Sequence, residues 1–105
     1  MKINEILDQR QQTHGDYPTV AKIAQQLKNI IAWHTYDSFR ALKITPSQKE
    51  ALDMICSKIA RICNGNANKT EHWEDIAGYA ILVIRELEKQ KQEKDENGET
   101  VFPLN

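Results

Sequence analysis

Apolar residues recur at helical spacing along almost the whole chain, and this period limits the possible folds more than any other feature. Side chains three, four and seven positions apart share one face of an α-helix, so such a stripe predicts a helix with one buried side. Only 4 Gly and 3 Pro interrupt the 105 residues, and no strand pattern or internal repeat accompanies the helical period. The sequence therefore predicts an all-α, four-helix bundle-like single domain.

The apolar stripes place the four helices. The first spans Ile3 to about Thr13, and the second runs from about Pro18 into the low thirties. The third runs from Pro46 to Cys63, and the fourth starts after a capping Thr70. We predict that residues 1–94 form the domain and that residues 95–105 are a flexible or docking tail.

Local secondary-structure signals are clearest at the start of the third helix and least clear in the segment before it. Thr45 precedes Pro46, and Gln48 follows three positions after Thr45, which is the pattern of a capping box at a helix start. In contrast, the stretch from Trp33 to Ile44 is aromatic, β-branched and polar without a clean period. We predict a loop there, with a helical turn around residues 39–42.

Composition excludes several classes of protein. The chain has 14 Lys and Arg against 15 Asp and Glu, so it lacks the basic excess of a general nucleic-acid binder. Its longest apolar stretch, Ala77 to Ile84, is eight residues, whereas a membrane span needs about 20. The first residues lack the apolar core of a secretory signal. We expect a cytoplasmic protein with no membrane association.

Charged residues concentrate on one wall of the third helix. With about 100° per residue, Glu50, Asp53, Lys58 and Arg61 fall within about 140° of the helix surface. Carboxylates facing each other across a bundle can hold Mg²⁺ or Mn²⁺, and neighbouring cations can neutralise phosphates. The same spacing also occurs on helix faces that are simply solvated and salt-bridged, and on spacing alone that alternative is the commoner one.

A second acidic group opens the fourth helix. Glu71 and Asp75 are four residues apart on one face, and Tyr79 continues that line by one turn. The short loop before this helix implies that Asp75 approaches Ile59 before it approaches Asp53. A shared metal site would therefore need Asp75 and residues beyond it to face down the bundle toward Asp53, or a contribution from elsewhere in an assembly.

Several motifs resemble a known family. They are Glu50-Ala-Leu-Asp53-Met-Ile, Lys58-Ile-Ala-Arg61, His72-Trp73-Glu74-Asp75-Ile-Ala-Gly78-Tyr79 and His14-Gly15-Asp16-Tyr17. Together they resemble a family of small phage and prophage proteins of uncharacterised domain type, over about residues 3–88. More distantly, the acids are similar to those of all-α nucleoside triphosphate pyrophosphohydrolases of the MazG and dimeric-dUTPase type.

The distant resemblance implies a fold, an activity and a cofactor. Those enzymes have a MazG-like helical fold, and they hydrolyse a nucleoside triphosphate to the monophosphate and pyrophosphate with Mg²⁺ held by E-x-x-E and E-x-x-D motifs. Here Glu50 and Asp53 match the first motif and Asp75 matches the last acid, so these three would be catalytic and bind metal. His72 stands three before Asp75 where the motif has Glu, and Glu71 would substitute as a fourth ligand.

Other residues are expected to contact a small-molecule nucleotide. The candidates are Lys58, Arg61, Tyr17, Arg10 and Tyr79. Tyr17 belongs to a helix junction that could bind an anion or stack on a base, although turn chemistry alone explains the same residues.

Three functional hypotheses follow. The first is a Mg²⁺-dependent pyrophosphohydrolase-like protein, with Mn²⁺ as an alternative metal. The second is a non-catalytic phage protein that binds or sequesters a nucleotide, and the third is a purely structural helical oligomer. In each case the broad apolar face of the fourth helix favours a homo-oligomer, a dimer or a tetramer.

Overall fold

Four α-helices form the protein in a computed structural model. The structure describes residues 2–40 and 43–96, without the side chains of 37–40 and 96. The helices are α1 (Ile3–His14), α2 (Tyr17–Arg40), α3 (Pro46–Asn64) and α4 (Thr70–Glu96). Since no strand occurs in the described ranges, the all-α prediction is confirmed. The tail proposed to dock or fray falls almost wholly outside these ranges.

The loop predicted from Trp33 to Ile44 is wrong as far as Arg40, because α2 continues without interruption to that residue. Lys43 and Ile44 do lie outside the helices. Aromatic and β-branched residues cost only a few tenths of a kcal/mol each in a helix, which a helix already under way can absorb. Thr35 fits because its hydroxyl donates to the carbonyl of Ile31, one turn earlier, at 2.7 Å. Of the helical turn predicted around residues 39–42, the first two positions belong to α2 and the last two lie outside the described residues.

Helix α3 is the centre of the fold. Both α2 and α4 pack along it, whereas no packing between α2 and α4 occurs in the described part of the chain. The buried core consists of small side chains: Val20 and Ala24 of α2 cluster with Ala60 of α3, and Ala51 and Cys56 are also buried on α3. The capping box predicted at the start of α3 is present, with Thr45 and Gln48 bonded reciprocally.

The α1–α2 turn meets the α3–α4 loop backbone to backbone. Gly15 has a positive φ of 86°, and a Cβ placed there would collide with the carbonyl of Asn64. A Cβ on Gly65 would collide with the carbonyl of Thr13 in the same way. The Asn66 N–H donates to that Thr13 carbonyl at 2.9 Å. These contacts hold α1 to the α3–α4 loop.

None of the described helices is both long enough and apolar enough to span a lipid bilayer.

Candidate functional site

A cationic groove lies where α1, α2 and α3 converge. Its cavity is about 460 Å³. Arg10 and His14 reach it from α1, Lys28 from α2 and Arg61 from α3, while no carboxylate is among the lining side chains. Its apolar floor is formed by Leu7, Val20, Ala21 and Ala24. The groove thus combines basic side chains with an apolar surface, a composition found in small-ligand sites.

The pKa of His14 is lowered by its surroundings in the groove. Partial burial lowers the pKa of its imidazole, and the positive charge of Arg61 lowers it further. His72, Lys58 and Arg10 contribute in the same direction. A negative charge placed beside His14 would act on its pKa in the opposite direction.

Tyr17 stands at the mouth of the groove. It is the first residue of α2, and its ring is 81% exposed. Asp16 caps this helix end, because its carboxylate accepts from the N–H and the hydroxyl of Thr19 at 3.1 and 2.8 Å. These hydrogen bonds lower the pKa of Asp16. The cap fixes the start of α2, where Tyr17 lies.

His72 fastens α4 to the end of α1. It is 2% exposed, and its Nε2 lies 2.9 Å from the Thr13 carbonyl. A carbonyl oxygen only accepts, so Nε2 must carry the hydrogen. The His72 ring also lies 5.2 Å from that of His14. The residue that interrupts the acidic motif therefore has a structural role beside the groove.

Asp75 and Lys58 meet across the seam between α3 and α4. Their Oδ2 and Nζ atoms are 3.0 Å apart, which agrees with the register expected from the short loop. The hydrogen bond from Lys58 and its charge lower the pKa of the Asp75 carboxyl. This pair lines a second, shallow groove together with Tyr79 and Arg85. Asp75 and Lys58 thus form an ion pair within one chain.

The other predicted metal ligands are distributed along the helices. Asp53 pairs with Lys49 one turn away at 3.0 Å. Glu71 lies 3.8 Å from Lys69. Glu50 lines a third groove with Tyr79, about 12 Å along α3 from Lys58 at 1.5 Å per residue.

These carboxylates do not form a cation site within one described chain. No group of three or more His, Cys, Asp or Glu side chains able to hold a metal ion occurs among the described residues. The carboxylates of Asp53 and Asp75 face lysines rather than each other. The arrangement of a single chain therefore does not fit Mg²⁺, and further ligands would have to come from another subunit.

The structure brings some predicted ligand contacts together and separates others. Arg10, Tyr17 and Arg61 line the cationic groove, whereas Lys58 and Tyr79 belong to the α3–α4 seam. Lys28 was not among the predicted ligand contacts, although its position continues the Val20–Ala24 line by one turn. His14 was predicted only as part of the helix junction, although it is four residues from Arg10 and shares its face of α1.

Comparison with known proteins places the chain in a family. The model of a domain of unknown function, DUF6378, matches residues 2–86, which are 85 of the 105 residues. The chain belongs to the DUF6378 family. Searches of the curated proteins and of the solved structures found no match. The DUF6378 region contains the entire cationic groove and both acidic groups.

Proposed function

We propose that this DUF6378 protein binds the phosphate groups of a nucleotide in the cationic groove. The observation that carries the proposal is the convergence of Arg10, His14, Lys28 and Arg61 from three helices on one cavity without a lining carboxylate. Isolated surface cations commonly pair with neighbouring acids on their own helix. Basic side chains gathered around one cavity that no carboxylate lines instead favour an external anion.

The ligand follows from the shape and chemistry of the groove. A cavity of about 460 Å³ lies within the range of about 300–1,000 Å³ that holds small molecules. Arginine forms paired hydrogen bonds to phosphate oxygens, which suits Arg61 and Arg10 to this role. The exposed Tyr17 ring at the mouth offers a stacking surface for a base. We therefore assign the phosphates to the groove and the base to its rim.

Calorimetric titration with ATP, dUTP, adenosine and inorganic pyrophosphate tests this proposal. We expect both triphosphates to bind more tightly than adenosine. Arg61→Gln should weaken triphosphate binding roughly 10- to 150-fold, the effect of losing one charge-assisted hydrogen bond. Arg85→Gln is the matched control, because Arg85 is exposed on α4 outside the cationic groove. Equal weakening by both substitutions, or no triphosphate binding by wild type, would contradict the proposal.

A Mg²⁺-dependent pyrophosphohydrolase-like activity is the second candidate, with Mn²⁺ as an alternative metal. The observation that favours it is Asp75, whose exposed carboxylate has a lowered pKa and is therefore ionised at neutral pH. With Glu50, Asp53 and Glu71 it supplies the oxygen donors that Mg²⁺ prefers. Because these acids stand apart in one chain, the activity would require ligands from a second subunit.

Product analysis separates the two candidates. A panel of NTPs and dNTPs is incubated with and without Mg²⁺, and monophosphate and pyrophosphate are measured. Turnover that needs Mg²⁺ and is lost in Asp75→Asn would support the enzyme. Tight binding with recovery of intact nucleotide would support a non-catalytic binding or sequestering protein. A protein that binds neither metal nor nucleotide would leave the purely structural oligomer as the explanation.

A MazG-like relationship and a homo-oligomeric state belong to the same proposal. Support for assembly comes from α4, which packs along α3 and, among the other described helices, touches only the end of α1 through His72. Its side chains Ile81, Leu82, Ile84 and Leu87 remain 43–57% exposed. Large exposed apolar patches are typical of interaction surfaces.

A further inference from the structure

His14 lines the cationic groove at the point where α1 ends. It is the last residue of that helix, and it shares the cavity with Arg10 and Arg61. Its side chain is half-buried, so a ligand in the cavity can reach the imidazole. The ordinary imidazole changes its charge between about pH 5 and pH 8. His14 is therefore the lining residue whose charge can follow pH near neutrality.

Contacts with the start of α4 hold His14 in place. The Thr13 carbonyl accepts hydrogen bonds from the His72 ring and from the Asn66 N–H, each at 2.9 Å. The rings of His14 and His72 lie 5.2 Å apart. His72 is buried and does not line the cavity. A ligand in the groove therefore meets His14 and not His72.

The surroundings of His14 keep its imidazole neutral in the free protein. Partial burial lowers the pKa of His14 most, and its electrostatic neighbours lower it further, namely Arg61, His72, Lys58 and Arg10. These neighbours come from α1, α3 and α4. Because the pKa lies below the ordinary value of about 6.5, the ring is largely uncharged above pH 7.

The carboxylates on neighbouring segments are bonded to other groups. Asp16, in the turn after α1, accepts from the N–H and the hydroxyl of Thr19 at 3.1 and 2.8 Å. Asp75 of α4 pairs with Lys58 at 3.0 Å. Neither carboxylate lines the cavity. The negative charge that would favour a proton on His14 must therefore come from a ligand.

We propose that His14 binds the phosphate as an imidazolium, so that each anion entering the cationic groove takes up one proton from solvent. This inference rests on the phosphate binding proposed above and adds its regulation by pH. The anion offsets the charges of Arg10 and Arg61, and the carbonyl oxygens at the end of α1 favour a cation there. The proton enters the ring nitrogen that carried none, and the new N–H can donate to a phosphate oxygen.

Affinity for the anion should then rise as pH falls. A negative charge in contact with His14 should raise the pKa of His14 by about 1 or more. Affinity increases as pH falls through the pKa of the bound state and levels off below the pKa of the free state. Relative to His14→Gln, wild type should gain about 5- to 10-fold in affinity for inorganic pyrophosphate from about pH 8 to about pH 5.5. The comparison with His14→Gln cancels the titration of pyrophosphate itself.

Proton NMR of the imidazole rings measures the proton uptake directly. The chain has 3 histidines, and the signal that His14→Gln lacks belongs to His14. Spectra are recorded from about pH 5 to about pH 8, with and without saturating inorganic pyrophosphate and without Mg²⁺. We expect pyrophosphate to raise the pKa of His14 by about 1 or more. His34, exposed on α2 and outside the groove, is the matched control, and its signal should titrate identically in both series.

Calorimetric titration with pyrophosphate at the same pH values separates the outcomes. Pyrophosphate that binds without changing the titration of His14 would overturn the proton coupling and leave the proposed phosphate binding intact. A response of the His72 signal in place of the His14 signal would also overturn it. Absence of pyrophosphate binding at every pH would contradict the proposed function, and the coupling with it. If circular dichroism shows that His14→Gln does not fold, the wild-type NMR titration decides alone, with its signals assigned through the backbone.

Discussion

His72 gives the sharpest test of the structural reasoning, because two interpretations of the same position predict opposite results. In the acidic motif of pyrophosphohydrolases this position holds a glutamate, so His72→Glu would complete a metal site. In the structure His72 is 2% exposed and bonded to the Thr13 carbonyl. Its replacement by glutamate should therefore destabilise the fold and create no site.

The size of the effect follows from the contacts of His72. In His72→Leu the Thr13 carbonyl keeps the hydrogen bond from the Asn66 N–H, so only the net value of one bond is lost, about 0.5–1.5 kcal/mol. In His72→Glu a carboxylate would be buried against a carbonyl oxygen that cannot donate to it. Burying a charge without its partner costs about 3–5 kcal/mol. For a domain of this size, 1 kcal/mol lowers Tm by about 4–8 °C.

Thermal unfolding followed by circular dichroism measures both variants. We expect His72→Leu to lower Tm by about 5 °C and His72→Glu to lower it by at least about 12 °C, from the values above. Calorimetric titration with Mg²⁺ should detect no new binding by His72→Glu. A His72→Glu protein as stable as wild type would contradict the structural role assigned to His72, and one that gains Mg²⁺ binding would show that the position belongs to a metal site.

Three further predictions concern glycine, capping and pH. Gly15→Ala should destabilise the protein by more than about 1 kcal/mol in urea unfolding, because of its positive φ and the nearby Asn64 carbonyl. Gly78→Ala, where a Cβ meets open space, should instead stabilise α4 by about 0.5–1 kcal/mol. Thr45→Ala removes the α3 cap and should cost about 1 kcal/mol, and equal stability to wild type would contradict the assigned cap. The pKa of His14 is lowered in the folded protein, so the folded state disfavours the protonated imidazole. The stability that neutral His14 contributes is therefore present above the ordinary pKa of about 6.5 and is lost as pH falls through the lowered pKa. Stability should thus fall less from about pH 7.5 to about 5.5 in His14→Gln than in wild type.

Local signals allowed much of the fold to be predicted. The start of α3 was predictable because Thr45 and Gln48 are sufficient to specify a capping box within four residues. The register of α4 followed from the length of the loop before it, which brings Asp75 to Lys58. The extension of α2 was missed because periodicity weakens where a helix projects beyond its partner, although its backbone remains helical.

The candidate site was predictable only in part, because it depends on contacts between distant segments. Arg10, Tyr17 and Arg61 were expected to contact a ligand, but nothing local indicates that they share a groove with Lys28. The role of His72 was invisible for the same reason, since Thr13 lies 59 residues away in the chain. In the sequence, His72 is visible only as a departure from the acidic motif. Its contact with Thr13, which gives it a structural role, appears only in the tertiary structure.

The attachment of α1 has a consequence for how the groove opens. This helix has no buried residue, so its amides should exchange with solvent at low free energy, ahead of those of α3. One wall of the groove is then a separate cooperative unit, anchored mainly by its C-terminal turn. An anion bound between Arg10 and Arg61 would join that unit to the rest of the molecule. Slower hydrogen exchange in α1 alone would report that occupancy.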